Sequence, residues 1–309
     1  MQSSDRPWYR HVVRTGIRLL LGSKKAHYQD WLPGLSLPSD GGTGPSARLC
    51  YKGRMVAGFQ SVETLRQLAS DAVYIVGSGP SIRRMDMTLL PARTAILLNG
   101  SIRLIGNQVA EPLAVAIEDE RFIYRHFDGI MRQILPWTTC LFSVSVLRAI
   151  CEQNPDWLAD KKIILIDNIL KPYGAPRLSI DEVAGRDYVI LNEERTAGIS
   201  LQPDVGVFQA GSVAVSALQF ALASDVKMIG FVGIDISNAT EPRFYEKSGR
   251  VAFSGVAAAE NRILDHMRIA LIVAWSKNIQ FLNFSPVSAL AKLDLKYDPR
   301  LTLDVDDGV

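Results

Sequence analysis

The sequence predicts an α/β protein built on a doubly wound, mainly parallel sheet, and three observations carry that prediction. Short apolar runs rich in β-branched residues recur from about residue 72 to residue 282. Helical apolar patterns separate many of them, and parallel neighbours need such crossovers. A glycine turn, Gly77-Ser78-Gly79-Pro80-Ser81, follows the first run directly, where open α/β sheets bind ligands.

The chain opens on a basic stretch. Between Asp5 and Asp30 there is no acidic residue, while Arg10, Arg14, Arg18, Lys24 and Lys25 are basic. The arginines recur every four residues and align in one helical stripe, with Trp8, Val12, Val13, Ile17, Leu20 and Leu21 largely on other faces. An amphipathic basic helix is therefore expected within residues 8–25. It fits two readings: attachment to an anionic membrane surface with Trp8 and Tyr9 at the interface, or docking on its own domain or a partner subunit. Residues 32–59, with Pro33, Gly34, Pro38, Gly41, Gly42, Gly44 and Pro45, predict an irregular linker. The division is thus a helical arm and linker over 1–59 and a main domain over 60–309.

Within the main domain, strands are expected at 72–76, 94–98, 113–117, 138–142, 162–166, 226–232 and 279–282. Helices are expected at about 61–69, 120–134, 144–152, 211–223 and 257–276. Residues 168–210 break the rhythm with Pro172, Pro176, Gly185, Gly198 and Pro203 and one apolar run at 188–191, and read as an excursion. Residues 236–256 are a second such segment, a lid. The acidic tail at Asp304, Asp306 and Asp307 reads as solvated.

Composition bounds the function. With 48% hydrophobic and 21% charged residues, the chain has the balance of a soluble globular protein. It lacks an apolar run of the ~18 residues that span a bilayer, and its start lacks the pattern of a secretory signal. A cytoplasmic location follows as the expectation, peripheral on the inner face of the membrane if the basic helix attaches there. Cys50, Cys140 and Cys151 have neither CxxC nor CxxH spacing, so reduced, packed thiols are expected and no metal site. A net charge of +2 is too small for general nucleic-acid binding.

The 77–81 turn suits an anion. Glycines let backbone N–H groups approach a phosphate, Pro80 suits the first turn of a helix, and a helix start attracts negative charge. Ser78 and Ser81 add hydroxyl donors. The dinucleotide fingerprint would need glycine in place of Ile82, and the P-loop GKS or GKT is absent. By itself such a turn is also compatible with a structural role.

Neighbouring residues carry a resemblance. The stretch VYIVGSGPSIRRMDMTLLP at 73–91 resembles the opening of the bacterial sialyltransferases of glycosyltransferase family forty-two. In that family a first strand enters a G-N-G-P-S turn. Leu97-Leu98-Asn99-Gly100, then Gly211-Ser212 through Phe231-Val232-Gly233-Ile234-Asp235, and finally IQFLNFSPVSAL at 279–290 resemble later family segments in the same order. Lipopolysaccharide core Kdo transferases look like a related group. The resemblance implies a Rossmann-like fold and transfer of an ulosonic acid from its CMP-sugar donor, with no cofactor or metal required. The basic arm suits a lipopolysaccharide acceptor, which favours Kdo over sialic acid.

On this resemblance Gly77, Ser78, Gly79, Pro80 and Ser81 face the donor phosphate, with Asn99, Gly211, Ser212, Gly233 and Ser285 nearby. Ser212 fits equally as a helix N-cap. Asp235 ends a strand at the binding edge and is expected to accept from the ribose hydroxyls, with capping as its alternative. Arg243 or Tyr245 would stabilise the departing CMP. Transfer to a hydroxyl needs a base. The family histidine is replaced near Glu260 and Asn261, so the candidates are Glu118, Glu260 and His266, in that company His266 being more readily a packed residue. An arginine that the sialyltransferases carry before the Gly-Ser segment has no counterpart here. Two other classes remain open: a magnesium- and ATP-using enzyme like the pterin pyrophosphokinases, with Glu118-Asp119-Glu120 as the metal cluster, and a non-catalytic nucleotide-binding scaffold. Oligomeric state is open.

Overall fold

The computed structural model describes residues 6–38, 47–236, 241–246 and 257–303. The acidic tail, and most of the expected lid over 236–256, lie outside the described residues. Helix α1 (Trp8–Leu21) leads through a 3-10 segment (Ser23–Asp30) to β1 (Leu35–Ser36). A hairpin of β2 (Arg48–Tyr51) and β3 (Arg54–Gln60) follows, then α2 (Val62–Leu68) and β4 (Ala72–Val76). Next come β5 (Ala95–Leu98), β6 (Ala114–Ile117), α3 (Glu120–Met131), β7 (Thr139–Ser143), α4 (Val144–Gln153) and β8 (Lys162–Ile166). An excursion carries α5 (Ile180–Val183), β9 (Val189–Leu191) and β10 (Gly198–Ser200). The chain continues through α6 (Val213–Leu222), β11 (Met228–Val232), α7 (Glu260–Ser276) and β12 (Gln280–Asn283).

One 10-stranded sheet has the order β1-β2-β3-β8-β7-β6-β5-β4-β11-β12. Pairings from β3 to β12 are all parallel, and β1 and β2 add an antiparallel edge. The order runs outward from β4 to β8 on one side, while β11 and β12 lie on the other. The switch point of the winding is therefore between β4 and β11.

The strands read as continuous apolar runs because both faces of the sheet are covered. Along β5 and β6, Ile96, Leu98, Ala114 and Ala116 pack with α6 and α7, whereas Ala95, Leu97, Val115 and Ile117 pack with α3 and α4. Helix α6 is buried along its whole length, which is why its sequence, VAVSALQFAL, lacks a polar face. Its Gln219 donates to Phe208 O and accepts from the N–H groups of Ser200 and Phe208, stitching the excursion to the helix.

Three local expectations are corrected. Residues 48–60 are a hairpin rather than irregular linker. Its turn residues Lys52 and Gly53 both have positive φ, the mirror-image turn whose twist suits paired strands. After the glycine turn the chain forms a five-residue 3-10 segment, Pro80–Arg84, not an α-helix, so no long helix dipole points at the turn. Arg10 leaves the expected arginine stripe: it is 1% exposed and donates to the carbonyls of Leu32 (2.9 Å) and Gln29.

That arginine belongs to a buried polar network holding the arm to the body. Arg6 Nε donates to Glu120 Oε1 (2.5 Å), and Tyr9 donates to Glu152 (2.8 Å). Arg148, with a fully buried side chain, pairs with Glu120 and with Glu152 (2.5 Å). Charges removed from water this far are kept only when paired.

Candidate active-site cleft

A cleft with about 1000 Å3 of space, open to solvent, lies at the carboxyl ends of the strands around the β4–β11 switch. Gly77, Ser78, Gly79 and Pro80 from the end of β4 form its floor, with Gly233, Ile234 and Asp235 from the end of β11 beside them. Asn99, Ser212 and Arg243 also line it. The sequence-selected residues of the first, second and third segments thus converge because parallel strands deliver their carboxyl ends to one edge.

The turn is more engaged than its sequence suggests. Gly77 N–H donates to Val232 O (2.8 Å) and Gly79 N–H to Gly233 O (3.0 Å), extending the β4–β11 ladder past both strands. A Cβ at Gly77 would collide with Gly233 O, and one at Gly79 with the Asp235 carboxylate. The glycines therefore serve the close approach of β11. Ser81 donates through both N–H and Oγ to Asp235, each at 2.7 Å, and is buried beneath the cleft. Asp235 accordingly ties the turn in place, and burial raises its pKa despite those two bonds.

Asn99 has a positive φ of 48°, and its Oδ1 is buried with no hydrogen-bond partner among the described residues. Ser212 caps α6 by accepting from Ala214 N–H (3.3 Å) and also lines the cleft. Gly211 sits outside the lining at φ 90°, against Arg262. Ser285 is fully buried under β11, accepting from Ile234 N–H (3.0 Å).

Basic side chains line the cleft, and of these the sequence singles out Arg243 but not Arg121 or Arg125. Arg121, Phe122 and Arg125 come from the first turns of α3 and share the lining with Arg243. The available signal was the spacing of Arg121 and Arg125, four apart directly after the β6 strand end. Asp119 caps α3 and pairs with Arg121 (2.5 Å). Arg243 approaches Tyr245 OH and Glu246 at 3.3 Å each, and Arg103 lies over the Tyr245 ring at 4.9 Å. Tyr245 itself packs over Gly100, where any side chain would collide with the ring. Burial first, and then Arg103, Arg125 and Arg243, push the neighbouring His126 down to about 4.

The base candidates separate in space. Glu118 lines a smaller cavity of about 450 Å3 beyond Asp119, with Asp30, Asp167 and Lys171. Burial pushes Glu118 up to about 7, against a lowering contribution from Ser216, and pushes Asp167 up to about 7 as well. Glu260 is not among the lining residues and pairs with Lys292 (2.5 Å). His266 is buried, its Nδ1 2.8 Å from Arg262 O and its ring 6.0 Å from Phe208, and burial lowers its pKa. The expected Glu118-Asp119-Glu120 metal cluster diverges: Glu118 enters the second cavity, Asp119 pairs with Arg121, and Glu120 pairs with Arg6 and Arg148. All three cysteines are free, Cys140 and Cys151 buried and Cys50 half-buried.

The family model described as 3-deoxy-D-manno-octulosonic acid transferase WaaZ matches residues 59–297. No curated protein matches the chain. Among solved structures, the sialyltransferase CstII from Campylobacter jejuni in complex with the substrate analogue CMP-3FNeuAc is similar at 14% identity, covering 75% of this chain and 88% of that one, with a TM-score of 0.40. The monofunctional alpha-2,3-sialyltransferase Cst-I from Campylobacter jejuni is similar at 14% identity, covering 78% and 85%, with a TM-score of 0.39.

Proposed function

From the premise that this chain belongs to the 3-deoxy-D-manno-octulosonic acid transferase WaaZ family, we propose that it transfers this ulosonic acid from its CMP donor to a hydroxyl of a lipopolysaccharide glycan. No metal takes part in this reading. The single observation that carries it is the cleft at the β4–β11 switch, where the Ser78 turn and Asn99 face a wall of Arg121, Arg125 and Arg243.

Transfer breaks the bond between the anomeric carbon and a phosphate oxygen, so negative charge grows on the departing CMP. Preoriented cations beside that oxygen lower the barrier. Arg243, steadied by Glu246 and Tyr245, and Arg125 take this role. Ser78 contacts the phosphate, and Asn99, whose side-chain oxygen lacks a partner, takes a donor from the nucleotide or the sugar. Asp235 and Ser81 hold the turn that presents Ser78 rather than touching the ligand.

The acceptor hydroxyl loses a proton as it attacks the anomeric carbon. Glu118 receives it in this reading: it adjoins Asp119 on the cleft wall, and a carboxyl pushed up to about 7 suits a base working near neutrality. Glu260 and His266 are held elsewhere, by Lys292 and by Arg262 with Phe208.

The test is calorimetric titration with CMP followed by a donor screen over CMP-Kdo, CMP-sialic acid and ATP with magnesium. CMP binding that weakens in Ser78→Ala, with slow CMP release from CMP-Kdo that Glu118→Gln abolishes, is the expected result. Absence of CMP binding at millimolar concentration refutes the reading. Turnover of CMP-sialic acid alone would replace the donor.

A further inference from the structure

Helix α1 plays no part in the cleft, and it carries apolar groups on its inner and its outer side. On the inner side Val13 and Ile17 are half-buried, Tyr9 reaches Glu152, and Arg10 is buried against the carbonyls of Gln29 and Leu32. Its large apolar groups face water: Trp8 is 78% exposed, Val12 60%, Leu19 79% and Leu20 85%. At 100° per residue, Trp8, Val12 and Leu19 fall within about 40° of one another. Val13 and Ile17 already serve docking on the body, so this second, outward stripe is surplus to it.

Charge flanks the stripe. Arg14 and Arg18 are exposed along one side of it and Lys24 beyond its end, and no acidic residue occurs between Asp5 and Asp30. An apolar stripe bordered by cations is complementary to a bilayer surface, where the rings and aliphatic groups enter the interface and the cations meet anionic headgroups. We propose that the outer face of α1 rests on an anionic phospholipid surface and that this contact orients the cleft toward it. The connections on the inner side place the arm beside the cleft: Arg6 holds Glu120, the neighbour of cleft residue Asp119, and Asp30 and Trp31, at the end of the 3-10 segment after the helix, wall the second cavity. An acceptor held in that membrane thus meets the cleft without leaving the surface.

This goes beyond the reading of the cleft, and vesicle binding needs no turnover, so each fails by its own measurement. The full chain is to be floated with vesicles of mixed phosphatidylglycerol and phosphatidylcholine and with pure phosphatidylcholine, at low and high salt. Binding to the mixed vesicles that weakens with salt and without phosphatidylglycerol is expected. Arg14→Gln with Arg18→Gln should lower partitioning about 30-fold, from two surface cations. Trp8→Ser with Leu19→Ser and Leu20→Ser should lower it more than about tenfold, and since these side chains are exposed the melting temperature should stay within about 2 °C. Equal binding to both vesicle types, or unchanged binding in both variants, overturns the proposal. So does a dimer in sedimentation velocity that the Trp8, Leu19 and Leu20 changes dissociate, because a second copy would then cover the face.

Discussion

Replacing Glu118 by glutamine keeps the side chain's shape and removes its titration. Burial moves this carboxyl from the ordinary 4.5 up to about 7. Between those values the folded chain holds a proton that the unfolded chain has released, so stability falls as pH rises through the interval. The contribution is fully present below about 4.5 and wholly lost above about 7. At about 1.4 kcal/mol per pH unit the wild type then carries a cost of about 3 kcal/mol in mild alkali. Glutamine carries no such cost. Urea unfolding at about pH 4 and about pH 8.5 should therefore show the Glu118→Gln difference moving by about 3 kcal/mol in the variant's favour. The same variant should lose CMP release while retaining CMP affinity, since Glu118 lines the second cavity rather than the cleft that holds the nucleotide. A stability difference constant with pH to within about 0.5 kcal/mol would refute the buried, protonatable carboxyl. Undiminished CMP release would refute its role as base.

Asp235→Ala leaves two buried Ser81 donors without an acceptor, at about 1–3 kcal/mol each, partly offset by relief of the carboxylate's own burial. A net loss of about 2–4 kcal/mol by urea unfolding, with CMP affinity down at least about tenfold, is expected. Gly79→Ala drives a methyl into that carboxylate and should cost about 1–3 kcal/mol and weaken CMP binding by the same route, read by calorimetry. Glu120→Ala removes one of the two carboxylates paired with the buried Arg148 guanidinium, Glu152 remaining, and the arm's Arg6 contact, and should cost about 2–3 kcal/mol in chemical unfolding. His266→Gln should leave the pH profile of CMP release unmoved, because the ring packs against Phe208 away from the cleft.

The parallel α/β architecture was legible because every central strand is apolar on both faces, which writes short, unbroken runs of β-branched residues into the chain. The floor of the cleft was legible for a related reason: a turn rich in glycine after the first strand marks where backbone must pass close to something. What it passes close to was not. Gly77 and Gly79 accommodate the end of β11, and Asp235 grips Ser81 across 154 residues of sequence. Hydrogen bonds of that span leave no periodic trace. The hairpin at 48–60 was hidden by the glycines and prolines ahead of it and by a Lys52-Gly53 turn with an uncommon lysine at positive φ.

By itself the sequence determined the sheet, its parallel sense, the position of the turn at the ligand edge and the presence of a basic amphipathic helix. These follow from local spacing and from the two-fold or 3.6-fold period with which burial selects residue types. Only the tertiary structure decided how the polar groups were shared out. It turned Arg10 inward and Trp8 outward, brought Arg121 and Arg125 into one cleft with the turn, buried Glu118 in a second cavity, and engaged the glycine N–H groups with the end of β11. Each of those outcomes depends on which distant partner arrives within hydrogen-bond or Coulomb range, and the folded chain alone supplies that information.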